Sequence, residues 1–214
     1  MRAVIFANGM IRRKDLILNS ISKEDLLVSA DGGLRHIRSL DLSPSLVVGD
    51  LDSIREDDLK YLHRNDIALL KFPKEKDRTD LEIAIDEIIK RGYHDILIIG
   101  ALGGRLDQTL ANIGLLVLFS NEETKIELDD GQEHVQLVRE KLTIKGKQGD
   151  IISLIPLCEN AEVVSTRGLK YALMKDNLLP NRTRGISNVM EGDEAIIEIS
   201  KGTVICIHSR IQDE

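Results

Sequence analysis

Two aspartates directly follow a short apolar run in the first half of the chain. Asp50 and Asp52 are two residues apart and come after Val47-Val48-Gly49. In an extended segment, side chains two residues apart point to the same side. Paired carboxylates at the end of a strand suit a hard divalent cation, because Mg²⁺ takes oxygen ligands and usually shares them with substrate phosphates. Taken alone, the pattern also fits an acidic turn that merely follows a buried strand.

The same pattern recurs along the first half of the chain. Asp31, the pair Asp77 and Asp80, and Asp107 also come after apolar runs. If these runs are strands of one parallel sheet, their carboxylates meet at the sheet edge where ligands bind. Two carboxylates about 5 Å apart repel by about 3 kcal/mol at an effective dielectric of about 20. Such a cluster therefore favours a bound cation over a set of purely structural turns.

Glycine pairs and basic residues accompany these carboxylates. Gly32-Gly33 and Gly103-Gly104 can bring backbone N–H groups and helix N-termini close to phosphates. Lys76, Arg78 and Arg105 could complete an anion site, although each of them also fits a solvated surface position. The sequence has neither a dinucleotide-binding fingerprint nor a GxxxxGK[ST] phosphate loop. It therefore predicts a nucleotide site of a different design.

Alternating strands and helices must position these residues. Continuous apolar strands that alternate with helices are typical of an α/β fold with a doubly wound parallel sheet. Ser53 with Glu56, and Thr79 with Glu82, have capping-box spacing and predict two helix starts. The predicted strands are Ala3–Ala7, Leu26–Ser29, Leu46–Val48, Ile67–Leu70 and Ile96–Ile99, and the predicted helices cover Lys14–Ile21 and end near Leu40, Arg64, Gly92 and Phe119.

The pattern changes to short strands and turns in the second half. We predict an antiparallel β-sandwich domain over residues 123–214, after an α/β domain over residues 1–122. Tyr171 and the pair Ser187-Asn188 are candidates for ligand contacts, or for a packed ring and a polar turn. The predicted strands are Lys125–Leu128, His134–Arg139, Leu142–Ile144, Ile151–Leu154, Ala161–Val164, Leu169–Leu173, Ile186–Met190, Ala195–Ile199 and Val204–His208, with turns at Lys147–Asp150, Glu191–Asp193 and Lys201-Gly202.

Composition limits the class of partner. The 214 residues carry a net charge of −7, which argues against a nucleic-acid partner because such proteins need a basic face. Cys158 and Cys206 have no metal-binding spacing, and we interpret them as reduced thiols of a cytoplasmic protein. The N-terminal apolar run is too short for a signal peptide, and no stretch approaches a membrane span. We therefore expect a cytoplasmic protein without a membrane partner.

An ordered set of these motifs resembles the thiamine pyrophosphokinase family. The set spans both halves of the chain and comprises Gly49–Ser53, Asp77–Asp80, Gly103–Gln108, Gly168–Tyr171 and Ser187-Asn188. The resemblance implies an ATP-binding α/β domain followed by a thiamine-binding β-sandwich domain. It also implies a homodimer with its active site at the subunit interface. The implied reaction transfers diphosphate from ATP to the hydroxyethyl group of thiamine and releases AMP.

The resemblance also implies roles for individual residues. Mg²⁺ would be held by Asp31, Asp50, Asp52 and Asp80, of which the last three would be catalytic. Tyr171 would stack on thiamine, and Ser187 and Asn188 would contact it. Gln108 stands where many bacterial members have His, and Val189 where many have Glu. With the glycines and basic residues above, the nucleotide-binding set is Gly32, Gly33, Lys76, Arg78, Thr79, Gly103, Gly104, Arg105, Asp107 and Gln108.

Three other functions fit parts of the pattern. A related pyrophosphokinase could act on another alcohol, such as a hydroxymethylpterin, and the first-half motifs do not separate it from a thiamine enzyme. Tyr171 and Ser187-Asn188 favour thiamine. A thiamine or nucleotide sensor without turnover would be expected to lack the metal carboxylates, which are present here. A purely structural module would leave the clustered aspartates unexplained.

Overall fold

The computed structural model describes residues 1–50, 56–73 and 75–211, and it divides into two compact units, Met1–Gly131 and Gln132–Glu214. Within the described residues, no helix has the length and apolar character needed to cross a bilayer. The first unit contains strands β1 (Arg2–Phe6), β2 (Leu26–Ala30), β3 (Leu46–Gly49), β4 (Ala68–Lys71), β5 (Asp95–Ile99) and β6 (Lys125–Asp129), helices α1 (Lys14–Ser20), α2 (Leu34–Ser39), α3 (Glu56–Arg64), α4 (Asp80–Lys90) and α5 (Leu106–Phe119), and a 3₁₀ turn at Asp31–Gly33.

The strands of the first unit form a parallel sheet in the order β6-β5-β1-β2-β3-β4. The chain begins at the centre with β1, moves outward to β4, and then returns to the other side of β1 with β5. Ile5 of β1 pairs with Val28 of β2 on one side and with Ile98 of β5 on the other. The strand order therefore reverses between β1 and β5, which is where open α/β sheets bind ligands.

Burial explains why these segments fold as they do. The side chains of β1 from Ala3 to Phe6 are fully buried, as expected for a strand covered on both faces. The apolar face predicted for α4 is buried from Leu81 to Ile88. Thr79 caps this helix, because its Oγ1 accepts a hydrogen bond from the Glu82 N–H at 3.2 Å. The corresponding Ser53 cap of α3 lies outside the described residues.

The second unit is built of antiparallel strands around two long ones. β12 pairs with β7, β8 and β9, while β10 and β11 pair with β9. Their buried aliphatic side chains, among them Ile152, Leu154, Ile197 and Val204, form one core cluster. The predicted fold class, a doubly wound α/β part followed by an antiparallel β part, is confirmed. The strands are β7 (Glu133–Val138), β8 (Lys141–Lys145), β9 (Ile151–Arg167), β10 (Met174–Leu178), β11 (Asn188–Val189) and β12 (Glu194–Ser209).

Two predicted strand breaks in the second unit are wrong. Ile151–Leu154 and Ala161–Val164 both belong to β9, and Ala195–Ile199 and Val204–His208 both belong to β12. The turn predicted at Lys201-Gly202 is instead a place where the register of β12 against β9 shifts. A β-bulge and a turn both interrupt the apolar alternation, so the sequence pattern does not distinguish them.

The segment predicted as a strand at Leu169–Leu173 is a turn. Leu169 makes an isolated bridge with Met190, and the next strand begins only at Met174. Leu169 and Leu173 are nevertheless buried. The apolar pattern therefore indicated burial correctly but not backbone conformation.

Candidate active site

A cavity of about 260 Å³ lies at the carboxyl ends of β1 and β5. Its walls come from the segment after β1, the end of β2, the start of α4, the β5–α5 loop and the first turns of α5. Asn8, Asp31, Asp80, Gly103 and Gln108 represent these five segments. The cavity thus occupies the point where the strand order reverses, which is the expected ligand site of this topology.

Asp80 is the first residue of α4 and lines this cavity, and one of its carboxylate oxygens, Oδ1, is buried. Its Oδ1 accepts no hydrogen bond from any described residue. The ammonium nitrogen of Lys76 lies 3.1 Å from Oδ1, so this contact is an ion pair without the geometry of a directed hydrogen bond. Burial raises the pKa of Asp80, Lys76 opposes this rise, and the neighbouring Asp31 and Asp50 add to it.

Gly49 allows the carboxylates to approach one another. A Cβ atom at this position would lie 3.3 Å from Asp31 Cα and 3.6 Å from Asp80 Oδ1. Asp31 and Asp50 are both half-buried, and both act electrostatically on Asp80. The structure therefore brings together three of the four carboxylates selected from the sequence. The fourth, Asp52, lies outside the described residues.

This donor set fits a magnesium ion that also has other ligands. Within residues 1–50, 56–73 and 75–211, no three His, Cys, Asp or Glu side chains are arranged to hold a metal by themselves. Mg²⁺ rarely needs such a cage, because it typically binds one or two carboxylates together with water and substrate phosphates. The Asp80 carboxylate, whose buried Oδ1 accepts no directed hydrogen bond from a described residue, lies near Asp31 and Asp50 and suits that mode of binding.

The predicted glycines lie where side chains would not fit or where the backbone is left-handed. A Cβ atom at Gly33 would lie 1.9 Å from the carbonyl oxygen of Phe6. Gly103 and Gly104 have φ values of +73° and +76°, which turn the chain into α5. Gly103 lines the cavity, and Gly32 packs against the Asn8 side chain.

Each basic residue selected from the sequence contacts a carboxylate. Lys76 contacts Asp80 in the cavity wall. Arg78 donates to Glu82 at 2.8 Å and to Asp86 at 3.0 Å. Arg105 forms a bidentate ion pair at the exposed start of α5. Its Nε and Nη2 donate to Asp107 at 3.1 and 2.6 Å. The Arg105 guanidinium lowers the pKa of Asp107.

The three residues selected in the second unit lie together. Asn188 is buried, and its Oδ1 accepts the backbone N–H of Tyr171 at 3.0 Å while its Nδ2 donates to the Tyr171 carbonyl at 2.7 Å. Tyr171 is 60% exposed, and the Lys170 ammonium lies 5.6 Å from the centroid of its ring. Ser187 is exposed, and its N–H donates to Ser153 Oγ at 3.0 Å. Asn188 thus fixes the backbone beneath an exposed aromatic ring.

Two asparagines that line the cavity were not among the residues selected from the sequence. Asn8 follows β1 as the aspartates follow the neighbouring strands, so the strand-end pattern would have found it. Asn112 lies four residues after Gln108 on the same face of α5, and its Nδ2 donates to the Ala101 carbonyl at 2.9 Å.

Family models and curated relatives match most of the chain. The thiamin pyrophosphokinase catalytic domain matches residues 17–154, and the thiamin pyrophosphokinase vitamin B1 binding domain matches residues 139–204. The thiamine pyrophosphokinase of Bacillus subtilis is 32% identical over 86% of this chain and 87% of its own length. Thiamin pyrophosphokinase 1 of Caenorhabditis elegans is 23% identical over 88% and 81% of the two chains.

Solved structures agree with these sequence matches. The crystal structure of thiamine pyrophosphokinase from Bacillus subtilis is 27% identical and superimposes with a TM-score of 0.88, covering 99% of this chain and 100% of the other. Yeast thiamin pyrophosphokinase is 21% identical with a TM-score of 0.80, covering 98% and 86%, and this likeness bears on the fold alone. By its family models and its bacterial relative, the chain belongs to the thiamin pyrophosphokinase family.

Proposed function

We propose that this chain is a thiamine pyrophosphokinase that transfers diphosphate from ATP to the hydroxyethyl group of thiamine, giving thiamine diphosphate and AMP. The observation that carries the proposal is Asp80, which lines a cavity at the strand switch point and whose buried Oδ1 pairs with Lys76 but accepts no directed hydrogen bond from a described residue. Asp31 and Asp50 lie close enough to influence its ionisation. The match of both halves to the two family domains supports the choice of thiamine.

The first unit would bind ATP. Asp31, Asp50, Asp52 and Asp80 would hold Mg²⁺, and a bound Mg²⁺ would neutralise charge on the phosphates. The nucleotide itself would contact Gly32, Gly33, Lys76, Arg78, Thr79, Gly103, Gly104, Arg105, Asp107 and Gln108. The start of α4 supports this placement, because Thr79 and Asp80 both line the cavity.

Catalysis of this kind depends mainly on position and charge. The hydroxyl oxygen of thiamine must align with the β-phosphorus, opposite the bond that releases AMP. Asp50, Asp52 and Asp80 are the catalytic carboxylates in this proposal, and one of them would accept the hydroxyl proton. Buried carboxylates interact more strongly with nearby charge than exposed ones, because the local dielectric is lower.

The second unit would bind thiamine. The exposed ring of Tyr171 would stack on the cationic thiazolium, and its position over a fixed backbone supports that role. Ser187 and Asn188 complete the proposed substrate set. Lys170 already places a cation beside the same ring, which is consistent with a ring that accepts one.

We also propose a cytoplasmic homodimer with the active site at the subunit interface. On the outer face of α5, Leu106, Leu110 and Leu118 are 71%, 60% and 64% exposed, and a second copy would cover such residues. The two free cysteines, Cys158 and Cys206, suit a reducing compartment. The mass of the particle in solution, measured by light scattering, would test the dimer.

The reaction can be tested by identifying the products by mass. Purified protein is incubated with ATP and Mg²⁺, together with thiamine, a hydroxymethylpterin or neither. We expect AMP and thiamine diphosphate only when thiamine is present. AMP release with the pterin alone would contradict the thiamine assignment, and tight thiamine binding without AMP would contradict the enzyme assignment.

Matched variants test the carboxylate assignment in the same assay. Asp80→Asn should lose activity, whereas Glu87→Gln should keep it. Glu87 lies on the same helix and forms an ion pair with Arg91, at 2.8 Å. Full activity in Asp80→Asn would contradict the proposed metal and catalytic role.

A further inference from the structure

The segment after β1 forms a wall of the cavity and is fixed on one side by the β5–α5 loop. Asn8 and Gly9 line the cavity. The Gly9 N–H donates to the Gly100 carbonyl at 2.7 Å, and the Met10 N–H donates to the Leu102 carbonyl at 3.2 Å. A Cβ atom at Gly9 would lie 2.4 Å from the Gly100 oxygen, so the two segments are packed without spare room.

The carbonyl groups of the same wall are held from the other side by α2. His36 Nε2 lies 2.8 Å from the Gly9 carbonyl oxygen and must donate, because a carbonyl only accepts. Arg35 Nη2 donates to the Asn8 carbonyl at 2.7 Å. Two neighbouring side chains of one short helix thus bind two successive carbonyl groups. Neither of these side chains is among the described residues that line the cavity.

These contacts have a consequence for an anionic ligand. Carbonyl oxygens carry partial negative charge and would repel phosphate oxygens if they turned into the cavity. The bonds to α2 direct both oxygens at donors outside the cavity lining. The Asn8 side chain itself packs against Gly32, where a Cβ atom would lie 2.6 Å from Asn8 Cγ.

His36 suits this task because its ring stays a donor over a wide pH range. It is half-buried, and burial lowers its pKa, while the Gly9 carbonyl opposes that shift. The neutral ring with its proton on Nε2 and the charged ring both donate to Gly9. The bond therefore does not require the charged form.

We propose that Arg35 and His36 are positioning residues for ATP, which hold the Asn8–Gly9 wall in the form that accepts the nucleotide. This inference rests on the proposed function, because it takes the cavity to be the ATP site. Neither residue takes part in the chemistry or in the proposed thiamine contacts of the second unit. Losing them should therefore weaken ATP binding selectively.

Substitutions at His36 give the first test. His36→Ala should raise KM for ATP about tenfold, the usual effect of losing one partly buried hydrogen bond. KM for thiamine should stay unchanged. His36→Gln should recover ATP affinity to within about twofold of wild type, because its amide can donate to the same carbonyl. Equal rises in both KM values, or no difference between His36→Ala and His36→Gln, would overturn the proposal.

Arg38, on the same helix, is a matched control for Arg35. Arg38 is also exposed, but it pairs with Asp58 and lies 4.9 Å from the Tyr61 ring centroid. Arg35→Ala should raise KM for ATP about threefold, since exposed bonds are worth less, and Arg38→Ala should leave it unchanged. Equal effects of the two variants would contradict a specific role for Arg35.

Direct binding separates this inference from the proposed function. The titration uses α,β-methylene-ATP with Mg²⁺, which measures nucleotide affinity without turnover. A wild-type protein that makes no thiamine diphosphate, but binds this analogue more tightly than His36→Ala does, would overturn the proposed function and support the positioning role. Thiamine diphosphate formation with equal analogue affinity in all variants would support the proposed function and overturn the positioning role. If His36→Ala does not fold, His36→Gln and Arg35→Ala decide the matter.

Discussion

Replacing Asp80 by Asn is expected to stabilise the fold and to abolish activity. The Asp80 side chain is only 21% exposed, and its Oδ1 accepts no hydrogen bond from a described residue. Burial raises its pKa, as do Asp31 and Asp50, and the net rise persists although Lys76 lies 3.1 Å away. The fold therefore penalises the charged side chain at this position relative to the unfolded chain, and Asn removes that charge.

The magnitude follows from opposing charges. A carboxylate about 5 Å away costs about 3 kcal/mol at an effective dielectric of about 20, and the Lys76 pair returns an energy of similar size. These two charge effects nearly cancel, so burial of the carboxylate, which is the largest cause of the raised pKa, decides the sign. For a single substitution at a partly exposed position we take about 1 kcal/mol. For a chain of this length, that corresponds to a rise in Tm of about 2–4 °C.

The pH dependence has a definite sign. A carboxyl group whose folded pKa is raised contributes stability at low pH that is lost as the pH rises through that pKa. The amide introduced by Asp80→Asn does not ionise, so the advantage of the variant is present at neutral pH. It should disappear near and below the unfolded value of 3.8, where the carboxyl group of the wild type is also neutral.

Thermal unfolding followed by circular dichroism measures this difference, first in chelator and then with Mg²⁺ and ATP. Glu87→Gln, on the same helix, is the control and should change Tm little. Mg²⁺ with ATP should stabilise the wild type more than Asp80→Asn, because the variant lacks one ligand. A lower Tm for Asp80→Asn at neutral pH would refute the account of the buried charge, and equal stabilisation by Mg²⁺ with ATP would refute the metal assignment.

Three further predictions concern the second unit. Burial lowers the pKa of His208, and Asp150, 2.7 Å away, opposes this shift, so stability should fall as the pH drops below about 6.5. His208→Gln should make the midpoint of denaturant unfolding depend less on pH below about 6.5. Cys158 should react at once with a thiol reagent, whereas Cys206 should react only after unfolding, because burial raises its pKa to about 12; two fast thiols would contradict this packing. Asn188→Ala should raise KM for thiamine about tenfold in the wild type and by a smaller factor in a Tyr171→Ala background, because part of its effect acts through Tyr171; fully additive effects would show that the two side chains act independently.

The grouping of Asp31, Asp50 and Asp80 in the first unit could be predicted because these residues obey a local rule. Each apolar strand is a continuous run, and the residue that follows it lies at the carboxyl edge of the sheet. Asp31 and Asp50 are found in this way from β2 and β3. Asp80 follows the run that forms β4 by the same rule, and Thr79 with Glu82 also marks it as the start of α4.

The second unit was less predictable because its contacts are not local. The side chain of Asn188 bonds to the backbone of Tyr171, 17 residues earlier, and no spacing rule indicates such a pair. The bulge near Gly202 keeps one long strand where the pattern suggests two. The contacts of Arg35 and His36 with the carbonyl groups of Asn8 and Gly9 are likewise visible only in the fold.

We expect the protein to transfer a diphosphoryl group from ATP to thiamine. Phosphorus NMR of a single reaction with ATP, Mg²⁺ and thiamine tests this transfer, because it distinguishes AMP from ADP and a diphosphate ester from a monophosphate ester. We predict AMP and thiamine diphosphate in equal amounts, with neither product formed by Asp80→Asn. ADP with thiamine monophosphate, or ATP consumption that does not depend on thiamine, would contradict this expectation.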